Sequence, residues 1–252
     1  MNDSLTKLAS MIMKAKCIIA LTGAGMSTPS GIPDFRGING LWTRLNPDNC
    51  TGSGFEADPD TVWGCVMEIY QYVRDAAPNA AHYALTEMER MGKLCGIITQ
   101  NIDMLHEKAG SSNVVPLHGR LDTAICPKCG AILPITTAIS SWRTGFTPIC
   151  PKCGATLKPN IVLFNEDVPR QEYIKAFYMA RNTDLLLVLG TSLAVAPANE
   201  LPLIVKKHGG SMAIINDSST ELDDLADVVI RMRVEDAMPQ LIRIIKQMQE
   251  TH

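Results

Sequence analysis

The sequence predicts an α/β fold: a parallel sheet with helices on both faces, beside a small metal-binding domain formed by two insertions. Three observations carry that expectation. Short apolar runs without polar alternation recur along the chain, as strands buried on both faces of a parallel sheet require. Helical patterns lie between several of them, the alternation of a doubly wound domain. Two Cys-Pro-Lys-Cys-Gly copies, at 126–130 and 150–154, break the alternation with a different chemistry.

Residues 1–16 carry Lys7, Lys14 and Lys16 through an amphipathic pattern without a small-residue cleavage site, so they read as a first helix rather than a signal peptide. Strands are expected over 17–22, 95–99, 114–117, 185–189, 213–216 and 228–230. Helices are expected over 61–73, 80–91, 171–179 and 235–248. The large domain is then assigned to 1–37, 78–121 and 158–252, and the small domain to 38–77 and 122–157. Ligands of such sheets sit beyond the carboxyl ends of the strands. Thr22-Gly23, Thr99-Gln100, Leu117-His118, Gly190-Thr191 and Asn216 all fall at such ends.

Composition excludes several classes. The net charge of −3 offers no bulk attraction to nucleic acid or to an anionic membrane. No apolar run reaches the roughly 18 residues of a membrane span. A cytoplasmic, monomeric protein is the expectation. Of the eight cysteines, Cys17 and Cys95 read as small core residues, and a disulfide framework is not expected in a chain of this length without a secretion signal.

Cys126, Cys129, Cys150 and Cys153 form two Cys-x-x-Cys pairs with twenty residues between Cys129 and Cys150. Each turn presents two sulfurs to one ion, and two turns give four tetrahedral thiolates. Zinc is the expected ion, with mononuclear iron as the rival. Four thiolates leave no open position, so the ion is expected to be structural.

The stretch "LTGAGMSTPSGIPDFRG", residues 21–37, begins like a dinucleotide loop, because Gly23-Ala24-Gly25 lets the backbone approach a pyrophosphate. Ser27 and Thr28 fit either a helix cap or a ligand contact. A dehydrogenase would add an acidic residue at the end of a second strand about twenty residues on. Here residues 46–54 are a polar loop, so ordinary hydride transfer is excluded. In "TQNID", 99–103, Asn101 and Asp103 follow a strand directly, and His118 of "LHG" does so at the next strand end. A histidine there suits a general base, although a satisfied structural histidine is an equal reading of the pattern alone. His106 reads as structural.

The ordered set "GAGMSTPSGIPDFRG", "PNAAH", "TQNID", "LHG", the cysteine pairs, "KPNIVLFNE", "GTSLAVAP" and "IIN" resembles the sirtuins, the NAD+-dependent protein deacylases. The resemblance runs over roughly residues 4–245, and the nearest look is that of a short prokaryotic-type catalytic core. It implies a Rossmann-like domain with a zinc domain, NAD+ as co-substrate and structural zinc. It implies cleavage of the nicotinamide–ribose bond, with the acyl-lysine oxygen as nucleophile and 2′-O-acyl-ADP-ribose as product.

Carried over by motif, Gly23, Ala24, Gly25, Ser27, Thr28 and Arg36 belong to the phosphate and ribose loop, with Asp34 and Phe35 in its mobile cover. Ile32, Asn101, Ile102 and Asp103 form the nicotinamide pocket, and Gln100 meets the nicotinamide ribose. Asn101 also holds a water, and His118 is the general base on the ribose hydroxyls. Gly190, Thr191, Ser192 and Asn216 take the adenosine side. An acyl-lysine peptide adds as a strand between 162–165 and 194–196, with Ile161, Val162, Phe164, Asn165 and Val195 in contact. Two departures stand out: Asn165 replaces the usual Gly and Lys158 the usual Arg. Tyr70, Tyr72 and Arg74 do not reproduce the Tyr-x-x-Arg spacing of succinyl-preferring members, which favours a neutral acyl group. The rival functions are mono-ADP-ribosyl transfer to protein and an NAD+-responsive binding module.

Overall fold

The computed structural model describes residues 2–35 and 40–250. Helix α1 (Asn2–Lys14) buries Leu5, Leu8, Ala9 and Ile12, the three- and four-residue spacing of one helical face. Strand β1 (Ile18–Thr22) is buried throughout. Beyond it the chain makes two single 3₁₀ turns, Ala24–Met26 and Thr28–Ser30, and the second ends at Gly31 in left-handed conformation. The glycines therefore do not open an α-helix. Pro29 has no amide hydrogen for a continuing ladder, and Gly31 turns the chain away.

Next come α2 (Gly52–Ala57) and α3 (Pro59–Val73), the latter capped by Asp58, which accepts the amides of Asp60 and Thr61. Helix α4 (Ala80–Arg90), capped by Asn79, leads to β2 (Leu94–Thr99), the short α5 (Leu105–Ala109) and β3 (Val114–Pro116). The second insertion holds β4 (Gly119–Ile125), β5 (Ile132–Pro134) and α6 (Ile135–Arg143), and β6 (Lys158–Ile161) closes its sheet. The chain ends with α7 (Arg170–Arg181), β7 (Leu185–Leu189), α8 (Leu201–Lys207), β8 (Ser211–Ile215), β9 (Val228–Ile230) and α9 (Val234–Glu250).

Among the described residues, the large sheet has the order β3-β2-β1-β7-β8-β9, and all its pairs are parallel. The order reverses at β1, whose neighbours are β2 on one side and β7 on the other. That reversal opens a crevice beyond Thr22 and Leu189. One face packs on α1, α4 and α9, with Leu85, Met88, Leu241 and Ile245 fully buried. The other packs on α7 and α8 through Ala176, Ala180, Leu201 and Val205. The small domain has an antiparallel sheet, β5-β4-β6, and its own core from α3, α6 and the cysteine loops. Trp63, fully buried on α3, donates its indole N–H to Leu157 O at 2.9 Å and joins the two insertions.

Cysteine pairing corrects the expectation. Cys17 is linked to Cys95, and Cys50 to Cys65, with Cα separations of 5.6 and 6.0 Å. The first pair is adjacent because β1 and β2 run parallel from Ile18 and Leu94, with a one-residue register shift that passes over Cys95. No described helix is long and apolar enough to cross a membrane.

Candidate active site

Cys126, Cys129, Cys150 and Cys153 converge, their four sulfurs within 4.8 Å of one another. Both knuckles are built alike. Cys126 N–H donates to Ala131 O and Gly130 N–H to Cys126 O, and Cys150 with Ala155 and Gly154 repeats the pattern. Amides of Cys129 and Lys128 bonded to the Cys126 sulfur help bring that thiol down to about 6. Cys153, despite a bond from the Ala155 amide, is pushed up to about 11 by the sulfurs crowding it, Cys126 first. Four such thiols ionise together only around a cation, so the donor set fits zinc.

Two cavities meet at the strand ends. The first, of about 390 Å³, is the more polar of the two and lies beyond β1, β7 and β8. Ala24, Gly25, Thr28, Asp34 and Phe35 line it from the opening loop, and Gly190, Thr191, Ser192 and Asn216 from the later strands. Its glycines are required by approach. A Cβ on Gly25 would sit 2.9 Å from Gly190 O, and one on Gly190 (φ +58°) would sit 2.4 Å from Met26 N. This close backbone cradle fits a dinucleotide phosphate. Gly23 packs on Thr191 at its edge.

The second cavity, of about 850 Å³, is mainly apolar and lies between the large sheet and the small domain. Ile102, Ile161, Val162, Phe164 and Asn165 line it with Trp42, Ile69 and Tyr173. Phe35, Gln100, His118 and Val195 border both cavities.

Behind their junction lies a buried polar chain. Asn101 donates its amide to Gly23 O (2.9 Å) and to Ser27 Oγ (3.1 Å), and Ser27 donates to Asp103 Oδ2 (2.5 Å). Asp103 Oδ1 accepts the Leu105 amide at 2.9 Å. Burial pushes the Asp103 carboxyl above its usual range, against the pull of Ser27 and Leu105. Ile32 is buried beside this group, and Arg36 lies outside the described residues. Ser27 and Asp103 therefore stand behind the cavities as a hydrogen-bonded pair, and neither lines a cavity wall.

His118 Nδ1 lies 2.9 Å from the Gln100 carbonyl. A carbonyl only accepts, so Nδ1 carries the proton and Nε2 is the basic nitrogen. Burial lowers the His118 pKa below the ordinary histidine value, with the Gln100 bond opposing. The neutral form, which a base needs, therefore prevails at neutral pH.

His106 proves structural. Its Nε2 bonds Thr22 Oγ1 at 2.9 Å, and its ring packs against His82 with centroids 4.9 Å apart and the planes tilted by 56°. The Asn79 amide donates to His82 Nδ1. Burial lowers the two pKa values to about 3 and about 4.

Sequence reasoning missed Asp217, Ser218 and Arg233 on the polar cavity and Trp42, Tyr173 and Glu200 on the apolar one. The first two directly follow Asn216, a signal that was present. Met104, Leu193 and Asn165 are the non-glycine residues with left-handed backbone among those described. Each adjoins a residue of the site, and backbone strain of this kind concentrates at functional sites.

The fold and these two joined cavities define a nucleotide-using enzyme of the doubly wound class that carries a four-thiolate module. The Sir2 family model matches residues 23–197, and the chain belongs to that family. A relative from Pyrobaculum aerophilum, "NAD-dependent protein deacetylase 1", is 46% identical over 96% of this chain and 94% of its own length. "NAD-dependent protein deacylase 2" of Archaeoglobus fulgidus is 40% identical over 98% of each. A solved Sir2 enzyme superposes with a TM-score of 0.90 at 40% identity, covering 98% of this chain and all of its own. A Sir2 complex with a p53 peptide and NAD+ is also similar (TM-score 0.87, 34% identity, covering 94% of this chain and 96% of its own).

Proposed function

We propose that this chain is an NAD+-dependent protein-lysine deacylase. With NAD+ and one water it moves the acyl group of an acyl-lysine onto ADP-ribose, releasing nicotinamide, free lysine and 2′-O-acyl-ADP-ribose. The observation that carries the reading is His118, which borders the polar and the apolar cavity at once. A base at that junction reaches a ribose held on one side and an acyl-lysine on the other. NAD+ supplies an activated nicotinamide–ribose bond.

The chain's own residues then divide the work. Gly23, Ala24, Gly25 and Thr28 hold the phosphates against Gly190, and Thr191, Ser192 and Asn216 hold the adenosine side. Asp34 and Phe35 belong to the cover, and Arg36 is assigned to the phosphates and nearby ribose. Ile102 and Asn101 border the nicotinamide, Ile32 and the Ser27–Asp103 pair support them from behind, and Gln100 meets the ribose. His118 Nε2 takes a proton from a ribose hydroxyl. An acyl-lysine peptide lies as a strand along Val162, Phe164 and Asn165 on one side and along Val195 on the other, and its side chain passes Ile161. The small domain comprises 38–77 and 122–157, with zinc holding the second segment.

A neutral acyl group suits this cleft. Ile69, Ile102 and Ile161 line it, whereas Tyr70 and Arg74 border a separate groove with Ile139 and Arg143. The His118→Ala variant tests the reading. It should lose deacylation and still bind NAD+ by calorimetry. Deacylation at the parental rate would remove His118 from the chemistry.

A further inference from the structure

Two cysteine pairs stand apart from the metal quartet, and they differ in position. Cys17–Cys95 joins the amino ends of β1 and β2, opposite the cleft. Cys50–Cys65 reaches the cleft itself. Cys65 is buried in α3 within the small-domain core, and Cys50 ends a 3₁₀ turn (Pro47–Cys50) and lines the apolar cavity.

The backbone around Cys50 holds the expected peptide edge. Phe164 N–H donates to Cys50 O at 2.9 Å, and Gly52 N–H donates to Phe164 O at 2.9 Å. These bonds make a parallel bridge between Thr51 and Phe164. The Phe164 ring also meets Trp42, at a 5.2 Å centroid separation, on the same chain segment. The next residue, Asn165, takes a left-handed backbone (φ 63°) that its neighbours must maintain. The bond to Cys65 is the covalent tie between this segment and the buried helix.

We propose that the Cys50–Cys65 disulfide is a positioning element for the peptide: it holds the 50–52 segment against Phe164 and so presets the edge on which the acyl-lysine strand docks. The proposal rests on the deacylase reading. Cleaving the bond frees that segment, and peptide binding then bears the cost of ordering it. The NAD+ cradle is built from other elements and keeps its affinity. A trialkylphosphine suits the test because it carries no thiol to compete for the zinc. It gives two electrons to the S–S bond, which takes two protons from water and becomes two thiols, and the phosphine leaves as its oxide.

The experiment measures steady-state kinetics with an acetyl-lysine peptide and NAD+ on the full chain. It compares protein purified without reductant, the same protein after phosphine, and the variants Cys65→Ser and Cys95→Ala. Mass spectrometry of alkylated protein counts the free thiols in each. The expected result is a peptide KM raised about tenfold in Cys65→Ser and in the reduced protein. The NAD+ KM and kcat should change by less than about threefold, and Cys95→Ala should keep the parental peptide KM. A lower melting temperature with unchanged peptide KM would make the bond merely structural and overturn the proposal. Free Cys50 and Cys65 thiols in the unreduced protein would overturn it as well. If the unreduced protein shows no NAD+-dependent turnover, the deacylase reading fails separately. Peptide affinity by anisotropy then decides the positioning role, and equal affinity before and after reduction refutes it.

Discussion

Replacing Ser27 by alanine perturbs the buried chain that holds Asp103. Ser27 is 1% exposed and Asp103 4%, so water cannot readily replace the lost hydroxyl. The carboxylate loses the 2.5 Å bond on Oδ2 and keeps the Leu105 amide on Oδ1. Asn101 loses its 3.1 Å bond to Ser27 and keeps Gly23 O. A buried hydrogen bond to a charged group is worth about 1.5–3 kcal/mol, and the weaker amide bond adds under about 1 kcal/mol. A loss of about 2–3 kcal/mol should lower the melting temperature by about 5–10 °C at this chain length.

The pH dependence has a definite sign. Burial already raises the folded-state pKa of Asp103, and removing Ser27 raises it further. The carboxylate form is then the disfavoured one. The deficit of the variant should be largest above both folded-state pKa values and should shrink on acidification below them. Scanning calorimetry across a pH series reads this directly, and steady-state assays should show a raised KM for NAD+. A variant melting within about 1 °C of the parent at every pH would refute the claim that Ser27 holds a buried charge.

Three further outcomes are expected. Cys126→Ala, or prolonged exposure to a strong zinc chelator, should unfold or aggregate the protein, because metal binding contributes folding free energy directly. Metal analysis should find one zinc per chain in the parent, and a soluble, active and zinc-free protein would contradict the assignment. The His82 and His106 pKa values are depressed to about 4 and about 3, so the folded state binds fewer protons than the unfolded chain below the ordinary value of 6.5. Stability should therefore be full above pH 6.5 and fall on acidification, by about 3 kcal/mol for each histidine at pH 4. His82→Gln should flatten that slope in urea titrations. Asn165→Ala should cost about 1 kcal/mol at its φ of 63°, and Asn165→Gly much less, because only glycine adopts that backbone freely. Both should alter peptide KM more than NAD+ KM.

The sheet was legible because its strands are buried on both faces and so carry unbroken apolar runs, as in Leu185–Leu189. The metal module was legible because Cys-x-x-Cys spacing has few other uses. His118, Gln100 and Asn216 were legible as polar residues at strand ends. Helix α8 was not, since its seven residues begin Leu201-Pro202 and show no long amphipathic period. The helix-cap reading of Ser27 and Thr28 failed, because Pro29 and Gly31 leave only single 3₁₀ turns after the glycines. The Cys17–Cys95 pair is 78 residues apart in sequence, and its proximity follows from a parallel register that no local pattern encodes. Cys50 and Cys65 meet through tertiary packing of a turn on α3. Arg233 reaches the polar cavity from the turn after β9, and composition gives no hint of that placement.

The central claim is that NAD+ cleavage and acyl removal occur together at His118. One reaction tests it: purified protein, NAD+ and a panel of acetyl-, butyryl- and succinyl-lysine peptides, followed by mass spectrometry. The account predicts loss of the acetyl or butyryl group only when NAD+ is present, with nicotinamide and O-acyl-ADP-ribose in matching amounts. Intact peptides together with a protein that has gained ADP-ribose would contradict it and establish ADP-ribosyl transfer instead.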